Sequence, residues 1–288
     1  MAADPSAQVL TLAGGRRLGF AEWGDPAGRP VLYFHGGPGC RLDVWGVAEA
    51  ERTGVRIVTF DRPGIGLSDP RPGRRLTDWP PDAVAVADHL GLERFGVIGL
   101  SMGGPHAAVT AWALPDRVSR AAIVSAIWFM DEERSFREHG KRAYWRLCRR
   151  SPDAMRGVWA LLAATGARAP GLAAQLFAAS CTRSERAVLA RPEVRDTGIV
   201  MMAEALGGGA RGTVEDMLSL MRPRGFCLED IRVPVDVWQG DDDSFCPPAW
   251  GRRYATRIPG ATLHACPGEG HFLIADRIGE ILAAVASA

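Results

Sequence analysis

The stretch "FGVIGLSMGGPHAAVTAW", Phe95 to Trp112, restricts the folds open to this 288-residue chain more than any other. A short apolar run reads as a buried strand, and the alanine-rich stretch after it has helical spacing. Between them stands Ser101, with Gly99 two positions before it and Gly103 two positions after. Two readings of that serine compete. It can cap the helix that follows, or the turn can exist to present its hydroxyl as a nucleophile. One G-x-S-x-G does not decide between them, so the rest of the chain must.

The same alternation runs on either side. Val9–Leu12 and Arg16–Glu22, joined by Gly14-Gly15, have the pattern of a β-hairpin. Val31–Phe34 is an apolar run ending in "HGGPG", and Val55–Phe60 is another, followed by the Gly/Pro-rich "DRPGIGLSDP". Helical spacing over Asp78–Leu90 precedes the strand Phe95–Gly99, the helix Met102–Leu114 and the strand Val118–Val124. Strands alternating with helices at this spacing call for a parallel sheet in an α/β fold. From Trp128 to about Asp230 the rhythm is helical only, and then strand Val235–Trp238, helix Pro247–Arg257, strand Ala261–Ala265 and helix Phe272–Ala286 resume it. The expected organisation is a core over 1–127 and 231–288 interrupted by a helical insertion over 128–230.

Bulk properties exclude several functions. A formal net charge of +1 offers no general attraction to nucleic acid or to anionic lipid. The N-terminal residues contain no apolar core of signal-peptide length, and no apolar run is long enough to span a bilayer, so a soluble, cytoplasmic protein is expected. The six cysteines are scattered, without C-x-x-C and without clustering with histidines, which points to reduced thiols and not to zinc or disulfides. Lys141 is the only lysine among 34 basic residues, which suggests a bacterial genome rich in GC and leaves Lys141 as the single Schiff-base candidate.

In open α/β sheets the reacting groups lie beyond the carboxyl ends of the strands. After the first parallel strand come His35, Gly36 and Gly37, and after the next Asp61 and Arg62. Ser101 follows the third, the run Asp241, Asp242, Asp243 follows the Val235 strand, and His271 follows the last. A serine, a carboxylate and a histidine therefore gather at one sheet edge in the order Ser, Asp, His. A serine hydroxyl needs a neighbouring base to take its proton, and the imidazole needs a buried carboxylate to set its tautomer. The amide of Met102, at the start of the helix, is one donor for a developing oxyanion. The glycine-rich loop brings a second, that of Gly37.

With these landmarks in order ("HGGPG", "DRPGIGLSDP", "GLSMGG", "PDRV", "GDDDSFCP", "GEGHF"), the chain resembles the α/β-hydrolase fold superfamily along nearly its whole length. The resemblance implies a mostly parallel central sheet with a helical cap, and a triad of Ser101, Asp243 and His271. It places the acid three residues after the glycine of a G-x-x-D turn, hence Asp243 and not Asp241 or Asp242. It implies a serine hydrolase that cleaves an ester or thioester through an acyl-enzyme, without cofactor or metal, on a small-molecule acyl substrate.

A second resemblance, to proline iminopeptidases, rests on "HGGPG". It is weakened by Met102 after the serine, where that family favours Trp, and by "DRPG", where it favours Asp-Gln-Arg-Gly. Such an enzyme would need Glu204 or Glu215 to hold a substrate ammonium. The fold also hosts lyases, cofactor-free oxygenases and ligand receptors. His35 reads as a shaper of the oxyanion loop, Asp61 and Arg62 as loop braces, and His106 as buried packing. The basic run Arg134, Arg137, Lys141, Arg142, Arg146, Arg149 and Arg150 reads as a solvated helix face. Trp128, Trp145, Trp159, Phe177, Met201, Met202, Met217 and Met221 read mostly as the core of the insertion, some of them facing Ser101.

Overall fold

Parallel strands buried on both faces carry apolar side chains without interruption, and the computed structural model shows why these runs are continuous. It describes residues 4–131, 135 and 142–287. In β3 (Arg29–Phe34), Val31 and Tyr33 enter one core cluster while Leu32 and Phe34 enter the other, on the opposite face. In β5 (Phe95–Leu100), Phe95 and Val97 join the cluster of Leu32 and Phe34, and Ile98 and Leu100 that of Val31 and Tyr33. Each fully buried side chain of this size contributes about 1.5–3 kcal/mol.

The hairpin forms from β1 (Gln8–Thr11) and β2 (Arg17–Gly24), and β2 pairs antiparallel with β4 (Val55–Phe60). With β6 (Val118–Val124), β7 (Val235–Gly240) and β8 (Thr262–Cys266), the sheet has eight strands in the order β1-β2-β4-β3-β5-β6-β7-β8. All pairings from β4 to β8 are parallel. One face is covered by α1 (Val47–Thr53) and the last helix of the chain, Ile274–Ala286. The other is covered by α2 (Trp79–His89), α3 (Gly103–Ala113) and the helix Pro248–Arg257. Every strand and helix read from the core sequence is present, with ends moved by a few residues. The crossover helix α1 was not anticipated.

Between β6 and β7 lie α4 (Arg142–Arg150), α5 (Pro152–Arg168), α6 (Pro170–Ala179), α7 (Arg183–Leu189), α8 (Pro192–Gly207) and α9 (Arg211–Met221). The two remaining helices, α10 (Pro248–Arg257) and α11 (Ile274–Ala286), complete the core. Arg134, Arg137 and Lys141 of the basic run lie outside the described residues. The aromatic residues of the insertion divide. Trp128 packs on Tyr254 of α10, with ring centroids 4.9 Å apart, and so belongs to the core. Trp145 and Trp159 pack around Tyr144 within the insertion. Phe177 of α6 contacts the rings of Phe245 and Phe272. No helix among the described residues is long and apolar enough to cross a membrane.

Candidate active site

The turn after β5 forces Ser101 into the left-handed region, at φ 52°, a conformation that costs a non-glycine residue of order 1–3 kcal/mol. Backbone contacts on both sides hold it there. Its N–H donates to the Val124 carbonyl at 2.9 Å, and its carbonyl accepts from Gly104 and Ile127, each at 3.1 Å. The flanking glycines answer to space. A Cβ on Gly99 would lie 2.3 Å from the Gly103 carbonyl oxygen, and one on Gly103 would lie 2.0 Å from that of Phe34. The helix α3 has no side-chain cap at its start. The Ser101 hydroxyl instead lies 3.1 Å from Nε2 of His271. That geometry favours the second of the two readings of this serine.

His271 Nδ1 faces both carboxylate oxygens of Asp243, at 3.1 and 3.0 Å. Asp243 Oδ1 also accepts from the amides of Phe245 (2.9 Å) and Cys246 (2.7 Å), and Oδ2 from Gln239 Nε2 (3.3 Å). Both Asp243 and His271 are buried. The neighbouring aspartates point elsewhere: Asp241 accepts from the Gly268 amide, and Asp242 from the Ser184 hydroxyl at 2.6 Å. The structure thus brings Ser101, His271 and Asp243 into one hydrogen-bonded chain. Gly37 lies across from Met102, such that a Cβ on Gly37 would meet the Met102 side chain. Neither the Gly37 nor the Met102 amide donates to a backbone or side-chain group among the described residues.

Below the glycine loop sits a buried ionic cluster. Arg62 donates to the carbonyls of His35 (2.6 Å) and Gly36 (2.9 Å), and its Nε to Asp216 of α9 (2.8 Å). Arg74 reaches the other Asp216 oxygen at 2.9 Å. Burial alone would raise the Asp216 carboxyl, but the two guanidinium groups hold it well below the usual carboxylate range. Arg62 therefore ties the loop that presents Gly37 to a helix of the insertion. Asp61 accepts from the Arg41 and Leu67 amides at 2.8 Å, each a loop brace as expected. His35 donates Nδ1–H to the Gly36 carbonyl at 2.7 Å, and burial and Arg62 hold its pKa well below the ordinary value.

His106 is buried, with Nδ1 donating to the Met102 carbonyl at 2.9 Å. Burial, with Arg62 close by, lowers its pKa from 6.5 to about 3. Between those values the unfolded chain binds a proton that the folded one does not, so stability is full above about pH 6.5 and drains as the pH falls. His106→Gln can keep the donation to Met102 without this titration. Between pH 7.5 and 5 the wild type is expected to lose about 2 kcal/mol at this site that the variant does not lose. Urea unfolding of both proteins at both pH values reads the difference, and equal losses would refute it.

Three side chains with metal-ligating atoms, Asp243, Cys246 and His271, cluster within 4.8 Å among the described residues. An ion there would take His271 Nδ1 from its carboxylate, so the arrangement fits a proton relay better than a metal centre. A cavity of about 140 Å³ lies apart from these residues, lined by Pro63, Pro70, Arg71, Arg74 and Arg211 among others. It contains no member of the Ser101 chain.

Glu185 of α7 was missed in the sequence. It is buried and accepts from the amides of Ser244 (2.9 Å), Thr182 (2.8 Å) and His271 (3.2 Å) and from the Ser244 hydroxyl (2.7 Å). Burial would raise its carboxyl, but these donors hold it below the ordinary value. Its sequence signal, Thr182-x-x-Glu185, is that of a helix capping box, which the structure contains. Nothing in that signal points to the loop of His271.

Residues 29–148 match the family described as alpha/beta hydrolase fold. A putative carbamate hydrolase of Caulobacter sp. (strain K31) is 31% identical over 224 residues, covering 75% of this chain and 74% of that protein. A non-heme chloroperoxidase of Streptomyces lividans is 34% identical over 123 residues, 41% of this chain, and the match spans only 44% of that protein's length. Among solved structures, a thermophilic esterase from Thermogutta terrifontis superposes with a TM-score of 0.69 at 23% identity, covering 98% of this chain and 97% of the esterase. Sheet order, strained serine turn and a relative matched over three-quarters of its length lead to one conclusion: the chain belongs to the α/β-hydrolase fold family.

Proposed function

We propose that this protein is a serine hydrolase of carboxylic esters or thioesters with an apolar portion, acting through an acyl-enzyme. The observation that carries the reading is the continuous chain from Ser101 Oγ to His271 Nε2 (3.1 Å) and from His271 Nδ1 to Asp243 (3.0 Å). In the first step His271 takes the Ser101 proton as Oγ bonds to the acyl carbon, and returns it to the leaving alcohol or thiol as that bond breaks. Water, deprotonated by the same imidazole, then attacks the acyl carbon, and the bond to Oγ breaks as His271 returns the proton to Ser101, which releases the acid. The Gly37 and Met102 amides donate to the carbonyl oxygen as charge develops on it. The helices α4 to α9, between β6 and β7, are the cap, and no cofactor or metal takes part.

The apolar preference is supported by the rings beside His271. Phe245 lies 4.8 Å and Phe272 5.4 Å from the imidazole centroid, and Phe177 of α6, part-exposed, packs onto both. The aminopeptidase reading fares worse. Glu204 is held by Arg41 Nη1 at 2.6 Å, and Glu215 by Arg222 (2.7 Å) and the Gly73 amide (2.8 Å). Both carboxylates proposed to receive a substrate ammonium already serve structural partners.

A panel of p-nitrophenyl esters of rising acyl length, run beside a proline arylamide, tests the proposal. A pocket that buries alkyl surface at ~0.8 kcal/mol per methylene should raise kcat/KM roughly 3- to 4-fold per carbon until it is full. Proline arylamide turnover above that of every ester, abolished by N-acylation of the substrate, would replace the esterase with the aminopeptidase.

A further inference from the structure

We propose that Glu185 is a positioning residue that makes the alignment of Asp243 and His271 depend on the docking of α7; this rests on the reading of Ser101, Asp243 and His271 as a catalytic triad. Asp243 and His271 sit on separate loops, after β7 and β8, with 27 residues between them in sequence. Their side chains meet only if both loops keep their place. Glu185 bonds to both at once. Oε1 accepts from the Ser244 amide, adjacent to Asp243, at 2.9 Å, and from the His271 amide itself at 3.2 Å. Oε2 accepts from the Ser244 hydroxyl at 2.7 Å and from Thr182, at the start of its own helix, at 2.8 Å.

A carboxylate is an acceptor with room for about four donors, and here four are supplied. Two are backbone N–H groups of the triad loops, which cannot rotate to another partner and are costly to leave unpaired where they are buried. The packing is equally close. A Cβ on Gly270 would lie 2.4 Å from Glu185 Cγ, so the residue before His271 must be glycine for α7 to approach. A further bond, Ser184 Oγ to Asp242 at 2.6 Å, holds α7 to the acid loop on its other side. Glu185 belongs to the insertion, so lifting α7 removes the shared acceptor from both loops together.

The test uses Glu185→Ala, Glu185→Gln and Gly270→Ala in the full chain. The readouts are kcat and KM on an ester the wild type hydrolyses, folding by circular dichroism, and the far-downfield proton resonance of the His271 Nδ1–H. Misplacing a reacting group by about 1 Å costs as much as 10²-fold, so Glu185→Ala should lower kcat at least roughly 30-fold with KM within about threefold, and broaden or abolish the resonance. Glu185→Gln keeps an oxygen at the Oε1 position for the Ser244 and His271 amides and can donate to Ser244 Oγ, losing only the bond from the Thr182 amide, so its kcat should recover to within about fivefold of wild type. Gly270→Ala pushes α7 away without removing a hydrogen-bonding group and should lower kcat roughly 10-fold on the same grounds.

A folded Glu185→Ala with wild-type kcat and an unshifted resonance overturns the proposal. Should that variant not fold, a folded Gly270→Ala with wild-type kcat and resonance overturns it instead. A wild type that shows the resonance and hydrolyses no ester sinks the esterase reading alone, and the resonance in the variants still decides the role of Glu185.

Discussion

Ser101→Ala is expected to remove acyl hydrolysis, lowering kcat by roughly 10⁴-fold or more, and to abolish labelling by a fluorophosphonate, while the protein stays folded. The hydroxyl is the only group of Ser101 that reaches His271, at 3.1 Å, and its loss leaves no oxygen to bond the acyl carbon. The backbone contacts that hold the turn come from the serine's N–H and carbonyl, which alanine keeps. The φ of 52° is no easier for alanine than for serine, so the variant should match the wild type in thermal stability within a few degrees. Turnover that survives undiminished in a folded Ser101→Ala would remove the nucleophile and with it the hydrolase. The same variant separates an enzyme from a ligand receptor on this fold, since a receptor would keep its ligand affinity and have no turnover to lose.

The second large effect lies at the three consecutive aspartates. Asp243→Asn is expected to cost kcat on the order of 10³- to 10⁴-fold. The direction follows from the acceptor pattern. Oδ1 of Asp243 receives the amides of Phe245 and Cys246, so the asparagine oxygen must stay at that position. Its NH₂ then occupies the Oδ2 position, 3.0 Å from His271 Nδ1. Facing a donor there, and left only with an Oδ1 at 3.1 Å that two amides already share, the imidazole shifts toward the tautomer with a lone pair at Nδ1 and its proton on Nε2, which can no longer accept from Ser101. Asp241→Asn and Asp242→Asn keep an oxygen for the Gly268 amide and the Ser184 hydroxyl, so each should stay within about threefold of wild type. Rates of the three single variants on one ester decide the matter, and a larger loss at Asp241 or Asp242 would move the acid.

Much of the fold and of the candidate site is legible in the sequence, for a local reason. A parallel strand buried on both faces, a strained turn and a buried helix each leave their mark within a few neighbouring residues. The Phe95–Trp112 stretch contains all three. The glycines at 99 and 103 can be read because the backbone they admit is that of the adjoining strands and of the turn itself. The helix α1 escaped because its seven residues, Val47–Thr53, make two turns that bury little beyond Ala50, too short for a periodic apolar stripe.

What only the tertiary structure decided are the contacts that join distant segments. The resemblance implied Asp243 from its spacing to Gly240, but the contact of that carboxylate with His271, and the turning away of Asp241 and Asp242, show only in three dimensions, because three identical side chains in a row differ in nothing but direction. Asp216 reads as one more acid on an amphipathic helix, yet it neutralises Arg62 from 154 residues away. Glu185 reads as a helix cap, yet it takes hydrogen bonds from the amides of Ser244 and His271. The order of strands and the residue types at their ends determined the fold and the place of Ser101 within it. The packing of the insertion onto the loops determined which buried charges hold the hydrogen-bonding partners of Ser101 in place, because a hydrogen bond is set by distance in space and leaves no periodicity in the chain.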